Sequence, residues 1–563
     1  MRRNTKFLGA ILPALLVIGC GRSNPNSNES VEPKPLEIGD TVKEWKSTDD
    51  FDGLPINTFN NAKNGRGDVE IADDIGHEDE CSLYFDVTAG QNNTGYVGTD
   101  ALTESYFTED DAKNGDIISV YFYVPEDSNL ASIQLQALPS SMNNGIKSDA
   151  VTGDNLEVGE WNRLVVSYDT LETLGAIGII YKAVDISNSV KFYIDDINIT
   201  LGEETVKTGY ESKDESLYKE YEDYFKVGSC MSGSQIKNTE FRRMVKDNFN
   251  SITCENEAKP ERVLDKSACQ KLAREGHPGD VAITTAPFEQ IYNWCEANHI
   301  KVRHHTFVWY SQTPEWFFNT NYQDNGSKVS KDLMLERMEN YIRVSLETIN
   351  ERWPGLVYAV DVANEAIQNG TTRNSNNNWY STVGKDFVYY AFKFAHEYKE
   401  DYQSLFYNDY EYDYNVNNCK YAVNTLLKQA IEEELVDGIG IQGHIDSDSN
   451  MEVLINDAKL AHEKGLECQI TELDITINGT SASALNNQKK AYKKLLTRVL
   501  EENEKGTIGI TGMIVWGLTD NTSWKSSQNP LLFNSNYAKK PAYYGFLEAV
   551  QDFNEAHEEI EEE

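Results

Sequence analysis

The stretch "VYAVDVANEAIQNG", Val357–Gly370, stays apolar almost to its end and then meets the polar pair Asn364-Glu365. A second apolar run, "QITELDIT", carries Glu472 in a similar place. Two carboxylates facing each other across one opening suit glycoside cleavage. One carboxyl protonates the departing oxygen while the other attacks or assists at the anomeric carbon. Other apolar runs also close on hydrogen-bonding or aromatic groups: "ENEAK", "HHTFVWYSQ", "IQGH" and "WGLTDNTSW". Polar groups of this kind hold sugar hydroxyls, and flat indoles stack on the apolar faces of sugar rings. Alone, a strand-end Glu is more often a capping or ion-pair residue, a Trp is usually core, and a His is usually structural. The coincidence of at least five such ends is what points to chemistry.

The elements that must position these residues lie after Tyr218. Short apolar runs alternate there with helical patterns eight times: "FKVGSCM", "FNSITCENE", "IKVRHHTFVW", "LVYAVDVANE", "SLFYNDY", "DGIGIQGH", "LECQITELD" and "GMIVWGLTD". Strands apolar on both faces imply a buried parallel sheet. Eight such units predict an α/β (β/α)8 barrel over 217–555, whose chemistry belongs at the C-terminal ends of the strands. Strands four and seven lie well apart around that ring, so Glu365 and Glu472 would face each other across its mouth.

Upstream, residues 39–205 read as short strands rich in Val, Ile, Tyr and Phe between polar turns, which predicts an all-β sandwich or jelly roll. Residues 206–216 form a linker. Seven cysteines follow Cys20, with no metal-ligand spacing, so neither a disulfide framework nor structural zinc is expected. Cys254, Cys295 and Cys468 read as small buried hydrophobes. The formal net charge of −40 repels phosphate backbones and argues against a nucleic-acid partner, while a neutral polysaccharide is not repelled. The tail, 556–563, is a solvated acidic run. At the other end, "MRRNTKFLGAILPALLVIGC" has a basic start and a short apolar run and fits an export signal.

These motifs resemble glycoside hydrolase family 10, the retaining endo-β-1,4-xylanases, over Leu217 to Phe553. The resemblance implies hydrolysis of xylan without a metal or organic cofactor, with Glu365 as general acid/base and Glu472 as nucleophile. It implies that Asn364 binds the sugar 2-hydroxyl, and it carries over Asn256, Lys259, His305, Trp309, Gln312, Gln442, Trp516 and Trp524 as substrate contacts. His444 is expected to hydrogen-bond Glu472 and to be held by Asp361, both as catalytic support. Retention calls for carboxyls about 5–5.5 Å apart, and the charge of Glu472 is expected to raise the pKa of Glu365. Two positions depart from the family pattern: Val360 where Trp is common, and Tyr310 where His is common.

"VIGC" resembles the lipobox of bacterial lipoproteins. It implies a signal peptide over 1–19, lipidation at Cys20, a tether over 20–38 and an exported protein anchored at the cell surface or envelope. The sandwich resembles the carbohydrate-binding modules attached to such enzymes, with Tyr96, Tyr106, Phe107 and Trp161 as candidate aromatics or as core. Asp195 or Asp196 is a candidate for a structural calcium, or part of an ordinary strand end. Two other readings stay open: a non-catalytic or weakly catalytic glycan-binding lipoprotein, and a barrel glycosidase acting on another β-1,4-glycan, such as a cellulase or mannanase. Oligomeric state does not follow from the sequence.

Overall fold

The computed structural model describes residues 39–45, 67–78, 80–98, 112–141, 145–203, 209–212 and 216–562. The expected signal, lipidation site and tether, and the aromatics Tyr106 and Phe107, lie outside these residues.

Two antiparallel sheets form the first unit. One runs in the order Gly67–Ala72, Ser82–Val87, Val190–Thr200, Ile117–Tyr123, Trp161–Ser167, and Thr41–Trp45 also pairs with Val190–Thr200. The other contains Thr94–Gly98, Leu174–Ala183, Leu130–Pro139 and Ile146–Lys147. The side-chain period of two produces the core. In Val190–Thr200, Val190, Phe192 and Ile194 are buried while Lys191 and Tyr193 are not. Phe192 stacks on Phe85 with ring centroids 4.9 Å apart. The partly buried residues between the core positions place Tyr84, Tyr123, Trp161 and Tyr193 on the outer face of the first sheet.

That strand breaks register between Asp195 and Asn198, and Asp196 has φ 44°. The break turns both aspartates toward His77. Asp195 accepts the His77 backbone N–H at 2.8 Å, and Asp196 pairs with His77 Nδ1 at 2.8 Å. Potential donor atoms of His77, Glu78 and Asp196 lie within 4.8 Å of one another. Calcium takes six to eight oxygen ligands. Here the two aspartates are engaged by His77.

The second unit is a closed barrel of eight parallel strands: Lys226–Met231, Ser251–Cys254, Lys301–Trp309, Val357–Asn364, Ser404–Asp409, Gly438–Ile441, Glu467–Thr476 and Ile510–Val515. The first strand pairs with the eighth and the sixth with the seventh, which closes the ring. Every residue of Ser251–Cys254 and Gly438–Ile441 is buried, as strands covered on both faces require. The Tyr221 hydroxyl donates to the Phe546 carbonyl at 2.6 Å and ties the start of the barrel to its last helix, Pro541–Glu562.

Strand register shifts where the site is built. Strand four shifts against strand five between Asp361 and Ala363, and strand seven against strand eight between Ile470 and Leu473. Such irregularities re-aim side chains beside active sites. All seven cysteines after Cys20 are unbridged, and only Cys81 is not buried. Among the described residues, no helix is long and apolar enough to cross a membrane.

Candidate active site

Glu365 is the first residue past strand four. Its left-handed backbone, φ 52°, turns the chain out of the strand, a conformation that costs a non-glycine residue about 1–3 kcal/mol. The Glu365 N–H donates to the Asn408 carbonyl at 2.9 Å, which holds that turn. Its carboxylate accepts from Trp309 Nε1 at 3.0 Å and from Gln442 Nε2 at 3.1 Å. Burial raises its pKa above the ordinary carboxylate value, and the charge of Glu472 adds to this. The two hydrogen bonds oppose the shift without cancelling it. The expected like-charge effect is therefore present, second to desolvation.

Glu472, in strand seven, has the opposite balance. Its Oε1 accepts from Asn408 Nδ2 at 2.8 Å, and its Oε2 lies 3.2 Å from His444 Nε2. Burial alone would raise its pKa. The hydrogen bond from His444 and the nearby imidazoles lower it below the usual value. His444 is desolvated too, but Asp474 and Glu472 push it up to about 10. It is therefore an imidazolium at neutral pH, donating from both ring nitrogens.

His444 is not held by Asp361. Its Nδ1 donates to Asp474 Oδ2 at 2.8 Å, and Lys525 Nζ and Trp524 Nε1 also donate to Asp474, at 3.0 and 2.9 Å. Asp361 lies deeper in the barrel. It forms a buried pair with Arg303 and accepts from His305 Nδ1 at 2.9 Å. The expectation failed because Asp361 is on strand four while His444 follows strand six, and residue 474 on strand seven is its register partner.

One pocket of about 520 Å³ gathers Asn256, Lys259, His305, Trp309, Asn364, Glu365, Gln442, His444, Glu472, Trp516 and Trp524. Two of the expected residues do not line it. Asp361 sits beneath His305, and Gln312 donates to Glu261 at 2.8 Å, beside Asn256. Lys259 Nζ donates to Asn256 Oδ1 at 3.0 Å and lies 4.9 Å above the Trp309 ring. Trp524, 60% exposed, offers a ring at the rim.

Glu255, Asn408, Asp474, Tyr410, Asp413, Tyr414 and Lys525 complete the site and escaped the sequence reading. Asn408-Asp409 end the apolar run "SLFYND" as Asn364-Glu365 end theirs, so the signal for that position was present. Of the two family departures, Val360 is fully buried in strand four. Tyr310 touches the site through Arg373, whose guanidinium lies 3.9 Å above its ring while Nε donates to the Glu365 carbonyl at 3.0 Å.

The family model described as glycosyl hydrolase family 10 matches residues 216–549. Endo-1,4-beta-xylanase Y of Acetivibrio thermocellus is 34% identical over 418 residues, 70% of this chain and 37% of that protein. Endo-1,4-beta-xylanase A of Caldicellulosiruptor saccharolyticus is 33% identical over 357 residues, 59% of this chain and 95% of that protein. The chain spans about a third to a half of the length of the first curated relatives it matches. A solved structure of two modules of a Clostridium thermocellum endo-1,4-beta-D-xylanase, a family 22 carbohydrate-binding module and a family 10 catalytic module complexed with xylohexaose, is similar across both units. It has a TM-score of 0.58 at 26% identity, covering 91% of this chain and 97% of that one.

Proposed function

This chain belongs to glycosyl hydrolase family 10, and on that footing we propose that it is a retaining endo-1,4-β-xylanase. The observation that carries the reading is the pair Glu365 and Glu472. They meet in one pocket with proton affinities displaced in opposite directions, upward for Glu365 and downward for Glu472, the order that an acid paired with a nucleophile requires.

In the first step the Glu472 carboxylate attacks the anomeric carbon. The bond to the leaving oxygen breaks, and that oxygen takes the proton of Glu365. The His444 imidazolium and Asn408 orient Glu472 and keep it ionised until it attacks. Once the glycosyl ester forms, the negative charge beside Glu365 is gone and its pKa falls. Glu365 then accepts a proton from the incoming water, which displaces Glu472 and completes retention. Asn364 Oδ1 accepts from Asn408 at 2.9 Å, which leaves its amide N–H groups to donate to a sugar hydroxyl. This chemistry calls for no metal or organic cofactor in the barrel.

Xylan as substrate is supported by the xylanases among the relatives and by the xylohexaose in the related two-module structure. The test is release of new reducing ends from xylan, cellulose and mannan by the parent and by Glu472→Ala. Release from xylan alone, lost in the variant, is expected. Release mainly from cellulose or mannan would move the substrate, and no release would favour glycan capture without cleavage.

For the sandwich we propose xylan binding on the outer row Tyr84, Tyr193, Tyr123 and Trp161, whose neighbouring rings lie 4.8 to 5.8 Å apart. Tyr96 is a poorer candidate, since its ring packs over Gly178. In Glu472→Ala, adding Trp161→Ala should weaken retention on insoluble xylan; equal retention would count against this row. We also propose export and lipid anchoring through Cys20, supported by the motif "VIGC". Cys20→Ser should release the protein from membranes.

A further inference from the structure

We propose that the sandwich and the barrel together form a distal sugar-binding subsite, an inference that rests on the xylanase reading and extends it. A second cavity, of about 490 Å³, lies at the junction of the two units. Its wall comes from Ser141 of the sandwich and from Ser232, Lys237, Glu257 and Arg262 of the barrel. Asn256 lines this cavity and the catalytic pocket alike, so the two spaces adjoin at that residue. Each falls within the roughly 300–1,000 Å³ typical of ligand pockets.

The junction is a hydrogen-bonded one. Thr239 N–H donates to the Leu171 carbonyl and Thr173 N–H to the Lys237 carbonyl, both at 3.3 Å. The buried Arg242 Nη2 donates to Thr173 Oγ1 at 3.1 Å. The same sandwich loop holds the wall residue: Ser140 N–H donates to the Thr173 carbonyl at 2.8 Å and Ser141 N–H to Glu172 Oε2 at 3.2 Å. Ser141 is thus fixed against the barrel rather than carried on a free tether.

The lining chemistry selects the ligand class. Two cations, Lys237 and Arg262, are balanced by Glu257 and by Glu261, 4.0 Å from Arg262. Glu257 already accepts from the Gly233 and Asn256 backbone N–H groups, at 2.6 and 3.1 Å. A charge-balanced wall carrying the hydroxyls of Ser141, Ser232 and Ser234 and the amide of Asn256 suits a neutral polyhydroxylated chain. The glycan in the catalytic pocket continues past Asn256 into this space.

The test compares kcat/KM on xylotriose, a chain of three sugars, with that on xylohexaose, a chain of six. The full chain is used, with Lys237→Ala and Ser141→Tyr made separately. Both variants should lower the xylohexaose value about fivefold, leave the xylotriose value within about twofold, and shift the bond cut in end-labelled xylohexaose. An unchanged ratio between the two substrates in both variants would overturn the inference, as would an equal fall on both, which marks a structural role. A parent inactive on every xylo-oligosaccharide would overturn the xylanase reading as well, so the two failures are distinguishable.

Discussion

Asn408 and Gln442 hold the two glutamates reciprocally. The Asn408 carbonyl accepts the Glu365 N–H while its side chain donates to Glu472, and the Gln442 carbonyl accepts the Glu472 N–H while its side chain donates to Glu365. Each residue fixes the backbone of one carboxylate and the charge of the other. Removing either disturbs both groups at once.

Asn408→Ala should therefore lower kcat on the order of 10- to 100-fold. Its hydrogen bond helps hold the Glu472 pKa down, so losing it should move the acid limb of kcat/KM to higher pH. A pH–rate profile checks this. An unchanged acid limb would remove Asn408 from the control of Glu472.

Glu365→Gln should cost about 10²- to 10⁴-fold on xylan, where the departing oxygen needs a proton. On an aryl xylobioside with a strongly acidic phenol the first step should survive, and the glycosyl-enzyme should accumulate. Burst kinetics separate the two. An equal loss on both substrates would argue against an acid role.

Asp474→Asn should drop the His444 pKa from about 10 toward its ordinary value, while Asp361→Asn should leave it in place. Histidine NMR titration reads both. Linkage gives the matching stability signature. A folded pKa above the unfolded 6.5 contributes stability that is fully present below about 6.5 and lost as pH rises toward 10. His444→Gln should lack that decline. Asp361→Asn should instead destabilise the fold by about 3–5 kcal/mol, because it leaves the buried Arg303 uncompensated.

A chelator should leave the melting temperature unchanged, since Asp195 and Asp196 are already engaged by the backbone N–H and the ring of His77, at 2.8 Å each. A fall of several degrees, reversed by added calcium, would restore that ion.

The barrel was legible because period and composition act together. Eight doubly apolar runs separated by helical patterns admit few other closures, and Glu365 and Glu472 stand out because polar groups interrupt otherwise buried strands. The partner of His444 was not legible. Asp474 lies two residues past Glu472 on a buried strand, and only the register between strand seven and His444–Asp446 brings it to the imidazole. Arg303 was hidden for a related reason: an arginine in an apolar strand has no readable partner until Asp361 and Gln469 are placed beside it. The junction cavity depends on how two units dock, which no local pattern records.

The central claim is that Glu472 becomes covalently glycosylated while Glu365 does not. The most direct measurement is peptide mass spectrometry after reaction with a 2-deoxy-2-fluoro xylobioside carrying a good leaving group. An adduct of one xylobiosyl unit on the peptide containing Glu472 is the expected result. Turnover without an adduct, or an adduct on another carboxylate, would contradict it.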